Sequence, residues 1–196
     1  TNPTNYPEQR LMVLMYQGMA SFGGFIVAPL IFYFTMVRGN LVKDFIQIPA
    51  NIISALSITI IIVFSFMAVN TVFIDFNSSI KLPEAFSGFE EWAEGLEGSM
   101  EVLTKYLTEF QSTGYLLSAI LVIAVIPGIG EELVFRGLVQ NHVFRISKNI
   151  HVAIWVSALL FSLFHMQFYG LIPRMFLGAL FGYLYYFSGN IIYPMV

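Results

Sequence analysis

Two adjacent carboxylates, Glu131 and Glu132, and a guanidinium four residues further on, Arg136, follow directly on the apolar run Leu116 to Ile126. They stand in Gly128-Ile129-Gly130-Glu131-Glu132-Leu133-Val134-Phe135-Arg136-Gly137. Neighbouring residues on a helix point about 100° apart, so the two glutamates cannot serve one purpose. Glu132 and Arg136 are spaced i, i+4 with the acid first, the favourable order for pairing along one face. Such a pair, once buried, keeps both charges in place. Glu131 is then left to face elsewhere, and a carboxylate lining an apolar cavity is suited to act on water as a general base.

A second group completes that chemistry. In Phe161-Ser162-Leu163-Phe164-His165, Phe161 and His165 share one helix face. Glu131 lies seventeen residues before Lys148 and His165 seventeen after it. If both arms are helical, each climbs about 1.5 Å per residue from the turn, and the two side chains reach one height. An antiparallel hairpin thus brings a carboxylate to an imidazole, which can share a water or hold a metal ion with further ligands. Ionisable groups embedded in apolar sequence are costly and mark functional positions. His142 and His151 flank the turn and read as interfacial, and Arg174 reads as a membrane-edge anchor. Ser162 has no base at a suitable spacing on its helix, so serine hydrolysis has no support.

The elements that must position these groups are set by composition. The 196 residues are 57% hydrophobic, 16% aromatic and 11% charged, against about 25% charged in a soluble domain. The chain is therefore a membrane protein, all-α, a polytopic helical bundle in a single membrane domain over 1–196 whose partner is the lipid bilayer. No basic patch exists, which excludes nucleic-acid binding. Cys is absent, which excludes disulfides, thiol nucleophiles and thiolate metal sites.

Apolar periodicity predicts spans over 11–36, 52–73, 115–146, 150–168 and 172–187. Gly23-Gly24 and Pro29 should loosen the first, and Pro127 should kink or divide the third. Gly178 and Gly182, at i, i+4, suit close helix packing in lipid. Between the second and third spans, 75–111 reads as an amphipathic insert, with Gly95 and Gly98 able to break it in two. Its acidic residues turn away from an apolar stripe that includes Phe89, Trp92, Leu96, Leu103 and Leu107. The insert is a cap packed on the bundle or resting at the interface, with a substrate-gating lid as the sharper reading. If the spans alternate, Arg38 and Lys43 share a side with Arg145 and Lys148. Basic short loops mark the cytoplasm, so the insert faces outward.

Glu131-Glu132-Leu133-Val134-Phe135-Arg136-Gly137 resembles the EExxxR signature of the CPBP family (CAAX proteases and bacteriocin-processing enzymes, also called Abi), and Phe161 to His165 resembles its FxxxH signature. Phe176 to Tyr185 and Ser188 to Pro194 are similar to that family's run into its last catalytic helix. The resemblance implies an intramembrane endopeptidase of the bacterial inner membrane, whose archetype cleaves the last three residues from prenylated CAAX proteins. It implies that Glu131 activates the attacking water, that His165 positions it or stabilises charge, and that Glu132, Arg136 and Phe161 support the geometry. The substrate would be a protein or peptide, prenylated in the archetype. The family has been described both as metalloproteases and as metal-independent glutamate proteases. A divalent metal such as zinc would take Glu131 and His165 as ligands. The family pattern continues with a further His, and with Asn or Asp four residues on. Residues 191–196 read as the start of a truncated last helix, with that His expected after Val196. The rival reading is a non-catalytic protein on the same scaffold, an immunity factor or a subunit of a larger membrane complex. A proton- or ion-coupled transporter ranks last, since no inverted repeat or second broken helix supports it.

Overall fold

A computed structural model describes residues 7–48, 51–80, 82–110 and 112–195. Besides short 3-10 turns, the described residues form these helices in order: α1 (Arg10–Val37), α2 (Leu41–Phe45), α3 (Ile52–Ser78), α4 (Ser87–Thr108), α5 (Thr113–Ser147), α6 (Ile150–Phe164), α7 (Leu171–Ser188) and α8 (Ile192–Met195). Among the described residues the only sheet-type pairing is an isolated bridge between Ile46 and Asn190. Helices α1, α3 and α5 are long and apolar enough to cross a membrane. Their outward faces are covered in exposed apolar side chains such as Ile53, Ile61 and Phe64, a surface suited to lipid. The protein is an all-α integral membrane protein.

The two long helices with a proline in their interior, α1 and α5, do not divide. Each prolyl residue lacks the N–H that would close an i to i−4 bond. A wider π-helical stretch precedes it in both cases, Phe22–Val27 before Pro29 and Ile120–Val125 before Pro127. The helix absorbs the missing bond by widening and runs on. A further π-helical stretch, Leu133–Gln140, carries Arg136 itself. Polar side chains take up its backbone groups: Ser157 donates to the Phe135 carbonyl at 2.6 Å, and Asn141 to that of Gly137 at 2.8 Å. Lipid offers no water to do this.

α5, α6 and α7 pack side by side, with α1 and α3 on their flanks. α1 comes close to α5 at Gly130, where a Cβ would stand 2.5 Å from that of Phe25. α3 meets α7 through the stacked rings of Phe73 and Phe176, 4.0 Å between centroids. The helical part of 150–168 ends at Phe164, because Met166 takes a left-handed conformation with φ 54° and turns the chain. At 15 residues α6 is about 22 Å long, short of the ~30 Å hydrocarbon layer.

The insert departs from one expectation. α4 is unbroken from Ser87 to Thr108, through Gly95 and Gly98. Each glycine costs about 1 kcal/mol relative to alanine. Against that stand an i, i+4 ion pair between Glu101 and Lys105 (2.6 Å) and docking of the helix's last turns. Tyr106 and Leu107 are buried with Leu14, Ala119 and Val122. Arg10, over the Tyr106 ring, pairs with Glu109. The other half of the stripe stays open, with Phe86, Phe89 and Trp92 exposed, as suits aromatic side chains at a membrane–water interface.

Candidate active site

Glu131 and Glu132 leave α5 in different directions and meet different environments. Glu132 is 3% exposed and its Oε1 accepts from Arg136 Nη1 at 2.7 Å. Arg136, 1% exposed, also donates from Nη2 to the Gly178 carbonyl at 2.9 Å. Its guanidinium lies between two rings, 4.8 Å from the Phe161 centroid and 5.4 Å from that of Phe181. One turn on, Gln140 donates to the Gly182 carbonyl at 3.2 Å. The glycine pair on α7 thus does more than let helices approach. It opens two backbone carbonyls to the long polar side chains of α5.

Glu131 faces the end of α6. Its Oε1 lies 3.8 Å from Nε2 of His165, the two side chains being 22% and 28% exposed. His165 Nδ1 is 2.9 Å from the Phe161 carbonyl. With Nδ1–H donated there, Nε2 turns a lone pair toward the carboxylate. Two acceptors at 3.8 Å, beyond hydrogen-bond range, are suited to a water that donates one O–H to each. Such a water keeps its own lone pairs free to attack. Phe161 binds the two halves together, since its ring packs on Arg136 and, at 4.9 Å, on the His165 ring.

For a metal, these two donors fall short of a catalytic zinc site, which takes three protein ligands. Among the described residues no group of three or more His, Asp or Glu gathers at ligand spacing. The His expected after Val196 lies outside the described residues.

Three positioning residues, Asn77, Ser157 and Gln140, carried no signal in the sequence. Asn77, 2% exposed on α3, donates to the Phe168 carbonyl at 3.1 Å and accepts from the Ile172 N–H at 2.9 Å. It fixes the loop that follows His165. Ser157 and Gln140 act as described above. Arg174 is not a free anchor at the membrane edge: half-buried, it donates to Gln167 at 2.5 Å, and the carboxylates that act on it are Glu97 and, less strongly, Glu131. Ser162 is fully buried and donates to the Leu171 carbonyl at 2.6 Å, a tie between α6 and α7. His142 and His151 are exposed, away from the site, and His151 meets the Tyr183 hydroxyl at 2.7 Å.

The insert reaches the same loop. Glu97 of α4 accepts from the Tyr169 N–H at 2.8 Å, and Glu94 from its hydroxyl at 3.3 Å. Between α4 and the loop lies a cleft of about 760 Å³ lined by Glu94, Glu97, Glu101 and Gln167.

Fold and site together define a polytopic all-α membrane protein with a carboxylate and an imidazole placed to share a water. Residues 113–196 match the family model described as type II CAAX prenyl endopeptidase Rce1-like. This region, under half of the chain, holds both motifs and is similar to the CPBP family of membrane proteases. Neither a curated protein nor a solved structure matches the chain.

Proposed function

We propose that the protein is an intramembrane endopeptidase of the CAAX prenyl protease type, acting on a membrane-associated protein or peptide, prenylated as in the archetype. The observation that carries this reading is the 3.8 Å approach of Glu131 to His165 from two different helices. Glu131 takes a proton from the shared water while His165 orients it. The oxygen attacks the scissile carbonyl carbon, giving a tetrahedral oxyanion. Its collapse breaks the C–N bond, and the proton held by Glu131 passes to the leaving amine. Glu132 and Arg136 hold α5 against α7 so that Glu131 keeps its place. A divalent metal, if used, would draw on Glu131 and His165 and supply Lewis acidity toward the carbonyl.

In this reading the protein sits in a bacterial inner membrane with the basic ends of α1 and α5 in the cytoplasm and α4 on the outer side. The site lies at the insert's end of the bundle. The test is cleavage of a fluorogenic prenylated CAAX peptide by the full chain in liposomes. Wild type should cleave it, and Glu131→Gln should not, with an unchanged melting curve. Full activity in Glu131→Gln overturns the proposal.

A further inference from the structure

Beyond Glu131 and His165, toward the turn at Lys148, a second cavity of about 880 Å³ lies where the ends of α1 and α5 meet α2. Peptide hydrolysis as proposed above makes no use of it, and the inference here stands apart from that reading. Phe32, Leu138 and Leu160 give the cavity apolar walls. His142 and Arg145, in the last two turns of α5, line the end nearest the turn. From Gly137 to Arg145 a helix climbs about 12 Å. One cavity thus runs from apolar surface within the bundle to cationic surface at its edge.

Three observations identify the occupant. First, the polar groups of the lining divide into spent and free. The Asp44 carboxylate accepts from the Tyr33 hydroxyl and from the Asn40 N–H, the latter at 3.2 Å. Asn141 donates to the Gly137 carbonyl at 2.8 Å and to the Tyr185 hydroxyl at 3.2 Å. Arg145 and His142 make no hydrogen bond or ion pair among the described residues, which leaves both to meet a ligand. Second, the surrounding charge is positive. Arg38, Lys43, Arg145 and Lys148 stand in segments 38–48 and 137–150, and Asp44 is the one acid in either. Basic pockets between membrane helices hold anionic headgroups. Third, Phe32, Met36 and Phe144 line the cavity and are exposed, so it opens sideways onto the apolar outer surface of the bundle. A void there would leave its lining without contacts, whereas a hydrocarbon chain from the bilayer fills it.

We propose that this cavity binds an anionic phospholipid, with one acyl chain against Leu138 and Leu160 and the phosphate held by Arg145 beside His142. A neutral lipid with the same chains satisfies the apolar walls but brings no net charge to the arginine, so the site distinguishes headgroups by charge. Seated there, the lipid touches α1, α5 and α6 at once. It ties α1 to the two helices that carry Glu131 and His165.

The experiment uses the purified full chain, delipidated in detergent, with phosphatidylglycerol and phosphatidylcholine of identical acyl chains as probes. Native mass spectrometry reads the bound lipid and thermal unfolding reads its effect. Wild type should retain one phosphatidylglycerol in preference to phosphatidylcholine, and should melt higher when phosphatidylglycerol is added. Arg145→Gln should lower the affinity for phosphatidylglycerol about five-fold, the usual contribution of one basic side chain near an anionic headgroup, and leave phosphatidylcholine unaffected. Leu160→Trp places a larger side chain in the cavity from an exposed position and should release both lipids. Met36→Trp fills it from α1, which keeps the test decisive should either variant fail to fold. Glycerol phosphate, a headgroup without chains, should not bind at the lipid concentrations used. Equal retention of the two lipids by wild type overturns the proposal. So does phosphatidylglycerol binding that falls in Arg145→Gln but in neither tryptophan variant, which would put the lipid on the basic surface outside the cavity. Retention of a farnesylated peptide in place of both lipids overturns it too, and makes the cavity a substrate subsite.

Discussion

Arg136 on α5 donates a 2.9 Å hydrogen bond to the backbone carbonyl of Gly178 on α7, forty-two residues away. That bond is possible because α7 carries no side chain at this point. A Cβ on Gly178 would stand 3.0 Å from the Phe161 ring and 3.2 Å from the Ala158 Cα. Gly178→Ala is therefore expected to push α7 off α6 and lose about 1–3 kcal/mol. Thermal unfolding in detergent, followed by circular dichroism, measures it. Gly182→Ala should behave alike, since its Cβ would meet Gln140 Oε1 at 2.8 Å and Ile154 at 2.9 Å.

Glu132 and Arg136 form a buried pair, and breaking one partner should cost far more than removing both. Arg136→Met strands a carboxylate in an apolar interior and is expected to destabilise by about 3–5 kcal/mol. Adding Glu132→Met should restore much of that loss. Unfolding of the two single variants and the double variant closes the cycle. Equal losses in Arg136→Met and in the double variant would mean that the pair's charges are not buried in the membrane.

His165→Ala removes the imidazole while leaving the turn at Met166 to backbone bonds. It should lower kcat by about 10²- to 10⁴-fold with little change in melting temperature. Peptide cleavage and a melting curve on the same preparation separate the two effects.

Asn77→Ala leaves the Phe168 carbonyl and the Ile172 N–H without their side-chain partners. About 1–3 kcal/mol of local stability should be lost, concentrated in the loop between His165 and Leu171. Hydrogen exchange read by mass spectrometry should show faster exchange in that loop than in α6. Turnover should fall as well, although Asn77 touches neither Glu131 nor His165.

Ser157→Ala removes one interhelical hydrogen bond, from α6 to the Phe135 carbonyl in the π-helical stretch of α5. Bonds of this type in membrane proteins average about 0.6 kcal/mol and reach about 1.7. Because this one satisfies a carbonyl in irregular backbone, the upper end of that range is expected in an unfolding assay in bilayer-like detergent.

The outline of this molecule could be read from the residue pattern because lipid leaves few choices. Long apolar runs must be helices, and charged residues inside them must have a use. Equal spacing about Lys148 was enough to pair Glu131 with His165. The supporting residues were hidden for a different reason. Asn77, Gln140 and Ser157 are ordinary polar residues in apolar helices, and their meaning lies in which carbonyl or N–H they meet on another helix. Nothing along the chain marks the Phe135, Gly182 or Phe168 carbonyl as open. Arg174 resembled an edge anchor because its neighbours in sequence are apolar, whereas its neighbours in space are Gln167 and the Gly170 turn. The glycines of α4 misled for want of a tertiary term, since helix breaking by Gly95 and Gly98 is weighed against docking at Tyr106 and Leu107.

The stacked pair Phe73 and Phe176 and the clamp at Asn77 lie toward one end of α3, which elsewhere presents a broad face of exposed apolar side chains. Such a helix answers to two kinds of selection at once. Along its lipid face the sequence can drift among Ile, Val, Leu and Phe with little consequence, because any apolar side chain dissolves equally well in acyl tails. At Asn77 it cannot drift, for no other side chain offers a donor and an acceptor at that reach. A family tree of α3 should therefore show rapid turnover along most of its length and near-invariance at one position.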